Sequence, residues 1–394
     1  MRIILIHQYY KTPKDGGGIR SYYIARHMAD LGHKVDVVTA YNERGYTTTQ
    51  EGNVTVHYLP VYYTNHLSFL SRIHAFIRFV YMSFRLISRL QPADLNYVIT
   101  TPLTTGLIAL YARKRFKTPY FFEVGDLWPD APIQLGVLKN KKLIGWAYRL
   151  ERACYRKADA LIALSPDIKR VMEKKVPDRS VEVITNFADT DFFDQEAKEP
   201  ALAKKYNVEG KFVISYVGTV GMANHLEYLL DVARRANSDS RIHFLVAGSG
   251  ARWEYIESEG KSKGLGNISF LGFVDKKGVK EILNVTDAVL ISFKQVPVLS
   301  TGSPNKFFDG LAARKLIITN FGGWISDLIS TYRCGFEYDP EDPDTFMQKL
   351  KPYLDDRNKL ESGREEAFKL AAQFEPGRQL HKLSALLKNF EGKK

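Results

Sequence analysis

The chain has 394 residues, 45% hydrophobic and 12% aromatic, which excludes a disordered or fibrous protein, and its two cysteines exclude a disulfide framework. The formal net charge of +12 is uneven: residues 1–190 contain 27 Lys and Arg against 16 Asp and Glu, whereas residues 191–394 contain 29 against 28. A basic half of this kind favours a polyanionic partner, which would be nucleic acid, a phosphorylated substrate or an anionic membrane.

Strand and helix signals alternate along the first half. Residues 2–7 form an apolar run that is too short for a signal peptide and predicts a strand buried on both faces. A loop with Gly16, Gly17 and Gly18 precedes a helix predicted over 19–31. Further strands are predicted at 35–39, 96–100, 119–123 and 160–164. This alternation predicts a parallel sheet with helices on both faces.

The same alternation restarts after residue 190. A helix is predicted at 226–236, among strands at 212–217, 242–247, 268–271, 288–293 and 316–319. We therefore predict two doubly wound domains, 1–190 and 191–375, with a C-terminal helix at 376–394 that can pack back on the first. Ligands of such sheets bind beyond the carboxyl ends of the strands, so chemistry is expected in a cleft between the domains.

A second candidate surface lies in the basic half. The stretch 73–90 is interrupted by Arg78, Arg85 and Arg89 and cannot span a membrane. On a helical wheel its apolar face is formed by Ile73, Phe76, Ile77, Val80, Phe84 and Ile87. Further on, Lys139, Lys141 and Lys142 alternate with apolar residues that include Trp146. Two interpretations are open, contact with an anionic membrane surface or helices packed on the sheet with a solvated basic face. Nucleic acid is disfavoured because no nucleic-acid-binding signature is present.

The most specific signal is the segment 301–316. Ser303 is predicted to cap a helix whose first residue is Pro304. The free N–H groups of that helix end, with Lys306 beside them, suit a pyrophosphate. Asp309 lies about one turn further, where a carboxylate can accept hydrogen bonds from ribose hydroxyls. The alternative is an ordinary capped helix with a surface lysine.

This segment resembles glycosyltransferase family 4, whose GT-B fold consists of two facing Rossmann-like domains. Family members carry two glutamates here with seven residues between them, the first reaching the transferred sugar and the second the ribose. Thr301 and Asp309 occupy those two positions. Residues 303–309 resemble a bacterial branch that acts on N-acetylated deoxyamino sugars in O-antigen and capsule assembly, similar to the N-acetylfucosamine transferases.

The resemblance extends along nearly the whole chain. The glycine loop at 16–18 resembles the one that approaches the donor phosphate, and 123–130 resembles an acidic, tryptophan-containing motif in the cleft. The stretch 216–221 resembles a phosphate-side loop and 271–274 a base-contacting loop. The predicted donor contacts are Gly17, Gly18, Arg20, Gly218, Thr219, Phe273, Val274, Lys294, Thr301, Gly302, Ser303, Pro304, Asn305 and Asp309.

Two departures from the family affect the predicted chemistry. Family members usually carry Arg and Lys after the strand at 212–217, where this chain has Thr219 and Asn224. We expect Lys306, Lys294 and the helix N-terminus to neutralise the diphosphate instead, with Arg20 as a further candidate. Gly125 replaces a common His or Arg. The predicted catalytic residues are therefore Asp126, facing the acceptor hydroxyl, with Glu123 and Lys306.

No metal or other cofactor is predicted. The pairs Asp189/Asp191 and Asp342/Asp344 lie outside the predicted cleft loops, and we interpret them as hinge and turn carboxylates. The resemblance implies transfer with retention from a UDP-sugar to a lipid-pyrophosphate-linked saccharide, by an enzyme peripheral on the inner face of the cytoplasmic membrane. The alternative is a GT-B epimerase or a non-catalytic relative that binds sugar nucleotides. The oligomeric state is not predicted.

Overall fold

The computed structural model describes residues 1–13, 19–64, 67–194 and 197–392. Within these ranges the first half consists of strands β1 (Arg2–Ile6), β2 (Lys34–Tyr41), β3 (Thr47–Glu51), β4 (Val54–Pro60), β5 (Leu95–Ile99), β6 (Tyr120–Val124), β7 (Ala160–Ala163) and β8 (Val181–Val183). Its helices are α1 (Arg20–Asp30), α2 (Phe69–Leu90), α3 (Thr105–Phe116), α4 (Asp130–Gln134), α5 (Lys141–Lys157) and α6 (Pro166–Lys175).

Two short helices, α7 (Thr190–Phe193) and α8 (Pro200–Lys205), connect the halves. The second half has strands β9 (Phe212–Thr219), β10 (Ile242–Ser249), β11 (Ile268–Gly272), β12 (Ala288–Ile291), β13 (Leu316–Thr319) and β14 (Gly335–Glu337). Its helices are α9 (Glu227–Ala236), α10 (Trp253–Ser262), α11 (Lys276–Val285), α12 (Asn305–Ala312), α13 (Trp324–Tyr332), α14 (Asp344–Asp355), α15 (Arg357–Ala371) and α16 (Pro376–Glu391).

The strands form two sheets, ordered β3-β4-β2-β1-β5-β6-β7-β8 and β11-β10-β9-β12-β13-β14. Neighbouring strands are parallel except β3 and β4, which pair antiparallel. Every residue of β5 and β6 is buried, as expected where helices cover both faces of a sheet. The strand order switches direction beside β1 in one sheet and β9 in the other, which leaves a crevice at their carboxyl ends. The predicted architecture of two doubly wound parallel sheets is confirmed.

Four strands were not predicted from the sequence: β3, β4, β8 and β14. All five residues of β3 are exposed, because it is the edge strand of a hairpin that turns at Gly52 with φ +58°. An exposed edge strand needs no apolar face, so it leaves no hydrophobic pattern in the sequence. Strands β8 and β14 have three residues each, too few to show a period.

Helix α16 packs on the first sheet. Leu383 and Leu387 are buried in the same cluster as Ile3 and Val35. The Oγ atom of Ser384 lies 2.7 Å from Nε2 of His27 on α1. The end of the chain therefore contributes to the core of the first half.

Helix α2 buries only part of the apolar face that the sequence predicted. Ile77, a member of that face, is 63% exposed, next to the exposed Arg78 and Tyr81. The side that faces the core includes Ile87 from the predicted face and also Phe79, which was not assigned to it, and both are fully buried. The outward face consequently mixes apolar and basic side chains. None of the helices in the described ranges is long and apolar enough to cross a bilayer.

Candidate active site in the cleft between the sheets

A pocket of about 380 Å³ lies at the carboxyl ends of β1 and β9 and takes its walls from both halves. From the first half it is lined by Lys11, Ile19, Arg20 and Tyr23. From the connecting segment and the second half it is lined by Asn186, Phe187, Asp189, Phe193, Val217, Gly218, Thr219, Asn224, Gly248, Ser249, Phe273, Val274, Lys276, Val279, Phe293, Pro304, Asn305, Lys306 and Asp309. The N-terminus of α12 therefore faces the cleft, as the sequence predicted.

Lys306 is the central cation of this pocket. Its Nζ atom lies 3.1 Å from the hydroxyl of Tyr216 and 4.2 Å from the centre of that ring. A Cβ at Gly218 would lie 3.3 Å from this Nζ, so glycine leaves the room that the lysine occupies. Burial lowers the pKa of Lys306 to about 7, against the opposing influence of Asp309. A bound anion would reverse that loss of charge.

The backbone before α12 is fixed by side chains from both halves. The carbonyls of 301, 302 and 303 each accept one hydrogen bond, in that order from Ser165 Oγ (2.6 Å), Trp324 Nε1 (2.8 Å) and Asn186 Nδ2 (2.6 Å). Two of these three donors belong to the chain before α7. Domain closure therefore determines where this segment lies.

The predicted helix cap at Ser303 is wrong. Helix α12 begins at Asn305, its cap residue is Pro304, and no side chain caps it. The Ser303 hydroxyl is buried and has no hydrogen-bond partner among the described residues. The Ser303 carbonyl is bound by Asn186, and this contact keeps the residue outside the helix. The N–H groups of Asn305 and Lys306, in the first turn, are those at the pocket.

Asp309 lies one turn further along α12 and also lines the pocket. Burial raises its pKa to about 7; Lys276 and Lys306 act against this rise and Asp189 adds to it. A half-buried carboxylate in this position can accept hydrogen bonds from a vicinal diol such as a ribose.

Asp189 lies in the pocket wall, so the interpretation of this residue as a hinge carboxylate remote from the cleft is wrong. Its Oδ2 atom is 2.7 Å from Lys276 Nζ and accepts a hydrogen bond of 2.7 Å from the Tyr23 hydroxyl. Lys276 Nζ also lies 2.8 Å from that hydroxyl. The three residues come from α1, the connecting segment and α11, elements that are far apart in the chain.

Arg20 and Glu123 form a buried ion pair, with Arg20 Nε 2.8 Å from Glu123 Oε1 and Nη2 3.0 Å from Oε2. The guanidinium also donates to the carbonyls of 184 and 185. Glu123 is 0% exposed and accepts a further hydrogen bond of 2.5 Å from Tyr97. Arg20 reaches the pocket wall, but its charge is compensated, so the structure gives it no free charge for a diphosphate. Glu123 faces Arg20 and not the cleft.

Two family models match consecutive stretches of the chain. Residues 15–186 match a model described as a glycosyl transferase 4-like domain, and residues 211–356 match one described as glycosyl transferases group 1. The chain belongs to the GT-B glycosyltransferases. Membership of this broad family was predicted from the sequence and is confirmed.

Relatives and solved structures agree with this assignment. The colanic acid biosynthesis glycosyl transferase WcaI of Escherichia coli K12 is 24% identical over 317 residues, covering 75% of this chain and 77% of WcaI. The α-D-kanosaminyltransferase of Streptomyces kanamyceticus is 24% identical over 152 residues, 37% of this chain and 39% of the relative. The fold is similar to sucrose-phosphate synthase from Thermosynechococcus elongatus, with a TM-score of 0.79 at 14% identity over both full chains. It is also similar to Anabaena HepE in complex with UDP-glucose, with a TM-score of 0.71 at 15% identity over 99% of this chain and 100% of HepE.

The remaining predicted site residues of this glycosyltransferase fall into three groups. Gly218, Thr219, Phe273, Val274, Pro304 and Asn305 line the pocket; Thr301, Gly302, Ser303 and Lys294 do not line it; and Gly17 and Gly18 lie outside the described residues. Lys294 was predicted to face the diphosphate, but it is not among the residues lining the pocket. Its backbone N–H is fixed by the carbonyl of Ala223 at 2.8 Å.

Asp126 lies outside the pocket wall, in the loop after β6. Its carboxylate is exposed and accepts a hydrogen bond of 3.1 Å from the Thr101 hydroxyl. The neighbouring Gly125 packs closely, since a Cβ there would lie 3.3 Å from the carbonyl oxygen of Thr100. Asp126 is thus reachable from solvent on the acceptor half, and its role as the acceptor's partner stays a prediction.

Several residues that line the pocket were not predicted as site residues from the sequence, among them Lys11, Tyr23 and Lys276. The turn at 248–250 also contributes Gly248 and Ser249 to the pocket. There the structure requires glycine, because Gly248 has φ +146° and a Cβ would lie 1.8 Å from the Gly218 carbonyl oxygen. The position of this turn at the carboxyl end of a strand beside β9 places it at the cleft.

Proposed function

We propose that this GT-B glycosyltransferase transfers a sugar from a UDP-sugar, with retention and without a metal, to a lipid-pyrophosphate-linked saccharide in bacterial surface polysaccharide synthesis. The donor sugar proposed is an N-acetylated amino or deoxyamino hexose. The observation that carries the proposal is one pocket containing a helix N-terminus, Lys306 and, one turn further, Asp309. WcaI and HepE support it, the first by its role in colanic acid biosynthesis and the second by its bound UDP-glucose.

The proposed chemistry depends on the leaving group. Breaking the sugar–phosphate bond places negative charge on the diphosphate, and groups that bind that charge more strongly in the transition state lower the barrier. The Lys306 ammonium and the first N–H groups of α12 serve this purpose in our proposal. Thr219 and Asn224 in the pocket wall add hydrogen-bonding groups but no charge.

The decisive experiment is a transfer assay. The protein is incubated with radiolabelled UDP- and GDP-sugars, with and without a bacterial lipid extract and with EDTA. We expect label to enter the lipid fraction only from UDP-sugars and EDTA to have no effect. Conversion of the free sugar nucleotide in the absence of lipid would instead establish the epimerase alternative. If neither reaction occurs, the result would favour the other alternative, a non-catalytic relative that binds sugar nucleotides.

UDP binding is expected to take up close to one proton at pH 8. The pKa of Lys306 near 7 leaves its amine mostly neutral at that pH, and a nearby diphosphate raises the pKa again. Calorimetric titrations in buffers of different ionisation enthalpy measure this uptake. The variant Lys306→Met should show none. A wild-type binding enthalpy that is independent of the buffer would contradict the proposed position of Lys306.

The proposed membrane surface lies on α2 and the start of α5. Leu70, Ile77 and Tyr81 of α2 are exposed by 76%, 63% and 58%, and Trp146 of α5 by 50%. Both helices cover the same face of the first sheet, because their buried residues share one core cluster. The chain has no Asp or Glu between Glu51 and Asp94 or between Asp130 and Glu151. Such a surface matches anionic headgroups and a shallow apolar layer.

This surface is expected to bind vesicles that contain phosphatidylglycerol and not vesicles of pure phosphatidylcholine. Replacing Lys139, Lys141 and Lys142 with alanine should weaken binding on the order of 100-fold, since each basic residue contributes roughly 1 kcal/mol. The control is the double variant Lys261→Ala/Lys263→Ala, which removes exposed lysines of the second half. Sedimentation is the measurement. Equal binding by the triple variant and wild type, or binding to nucleic acid alone at raised salt, would exclude this surface.

A further inference from the structure

Tyr23, Asp189 and Lys276 form one hydrogen-bonded cluster at the pocket. Asp189 uses its two oxygens differently: Oδ1 accepts from the N–H of Phe192 at 3.3 Å and caps α7, while Oδ2 lies 2.7 Å from Lys276 Nζ and from the Tyr23 hydroxyl. The ammonium also lies 4.1 Å from the centre of the Phe192 ring. Lys276 is therefore fixed by the first half and the connecting segment, although it belongs to α11 of the second half.

The cluster shares the pocket with Asp309. Lys276, Asp189 and Tyr23 all line the same cavity as this carboxylate. Phe273 and Val274, in the loop before α11, line it too, which places the cluster at the end where the base and ribose would lie under the proposed function. The charged and titratable groups that influence Asp309 are Lys276, Asp189, Lys306 and Tyr23.

We infer that Tyr23, Asp189 and Lys276 are a latch between the two halves, and that Lys276 is a positioning residue whose ammonium keeps Asp309 ready to receive the ribose of the donor. The inference rests on the proposed function. Lys276 lines the pocket that contains Asp309 while its ammonium is held by Asp189 and Tyr23. Closure of the two halves and formation of the ribose-binding site are then coupled.

The physical reason is that one ammonium lies near two half-buried carboxylates: it contacts Asp189 and acts on Asp309 electrostatically. Without Lys276, Asp309 and Asp189 would face each other in a pocket that already disfavours charge, and Asp309 would keep a proton to a higher pH. A protonated Asp309 accepts ribose hydroxyls less well. Affinity lost in this way recovers at high pH, whereas affinity lost through misfolding does not.

The test compares Lys276→Met with Lys277→Met, which removes an exposed lysine from the adjacent position of α11. We expect Lys276→Met to weaken both uridine and UDP binding about tenfold at pH 7 and to move the acidic limb of the affinity profile up by about one pH unit. In an Asp309→Asn background the shift should disappear. Lys277→Met should behave as wild type. Identical profiles for the two lysine variants would overturn the inference.

The link between the halves is tested with Tyr23→Phe, which removes one hydroxyl and keeps the ring. We expect a 3- to 10-fold loss of uridine affinity, and a combined loss with Lys276→Met smaller than the product of the single losses. A fully multiplicative combination would show that the residues act independently and would overturn the latch. If wild type binds no uridine nucleotide at all, the proposed function fails first, and this result is distinct from either outcome.

Discussion

Replacing Lys306 with methionine should lower kcat on the order of 100- to 1000-fold while the protein remains folded. Loss of a single placed donor at a site of developing negative charge typically has an effect of this size. Here the effect is expected to lie at the upper end, because Thr219 and Asn224, which line the pocket beside Lys306, are uncharged. Arg20 does not compensate, since Glu123 neutralises it. Steady-state transfer from the UDP-sugar established by the panel assay is the measurement.

Two comparisons make the Lys306 prediction specific to the diphosphate. Lys306→Met should lose more affinity for UDP than for uridine, since only UDP carries the charge that the ammonium meets. Lys306→Arg should recover part of the activity, because it restores a permanent positive charge next to Gly218. Equal losses for uridine and UDP would remove Lys306 from the phosphate site.

Replacing Asp309 with alanine should weaken binding of uridine and of UDP by about tenfold or more. A hydrogen bond to a charged group contributes roughly 1.5–3 kcal/mol, and the same ribose is present in both ligands. This pattern separates Asp309 from Lys306, whose loss should affect UDP selectively. Calorimetry on the folded variant measures it. Unchanged affinity for both ligands would place the ribose elsewhere.

The same carboxylate predicts how wild-type affinity depends on pH. Burial raises the pKa of Asp309 to about 7, so the carboxylate is ionised above neutral pH and takes up a proton as the pH falls through 7. Uridine affinity should therefore decline below about pH 7. In Asp309→Asn, which cannot ionise, this acidic limb should be absent. If the limb persists in that variant, another group is responsible for it.

The fold and the position of the site could be read from the sequence because both have local signatures. Apolar runs such as those of β5 and β6 predict parallel strands buried on both faces, and their alternation with helices predicts a doubly wound sheet. The segment 303–309 could be assigned to the cleft because it follows a strand end. The exposed hairpin strand β3 lacked such a signature, since no apolar face was needed there.

The roles of individual charges were decided only by the tertiary structure. Arg20 and Glu123 are 103 residues apart, and Lys276 is 87 residues from Asp189, so no local pattern records either pair. From the sequence alone, cations were assigned to a diphosphate because they lie in or near the predicted cleft loops. In the folded chain Arg20 pairs with the buried carboxylate of Glu123, whereas Lys306 lies in a pocket that lowers its pKa. Secondary structure follows from nearest neighbours in the chain, whereas the charge available to a ligand depends on which loops meet across the cleft.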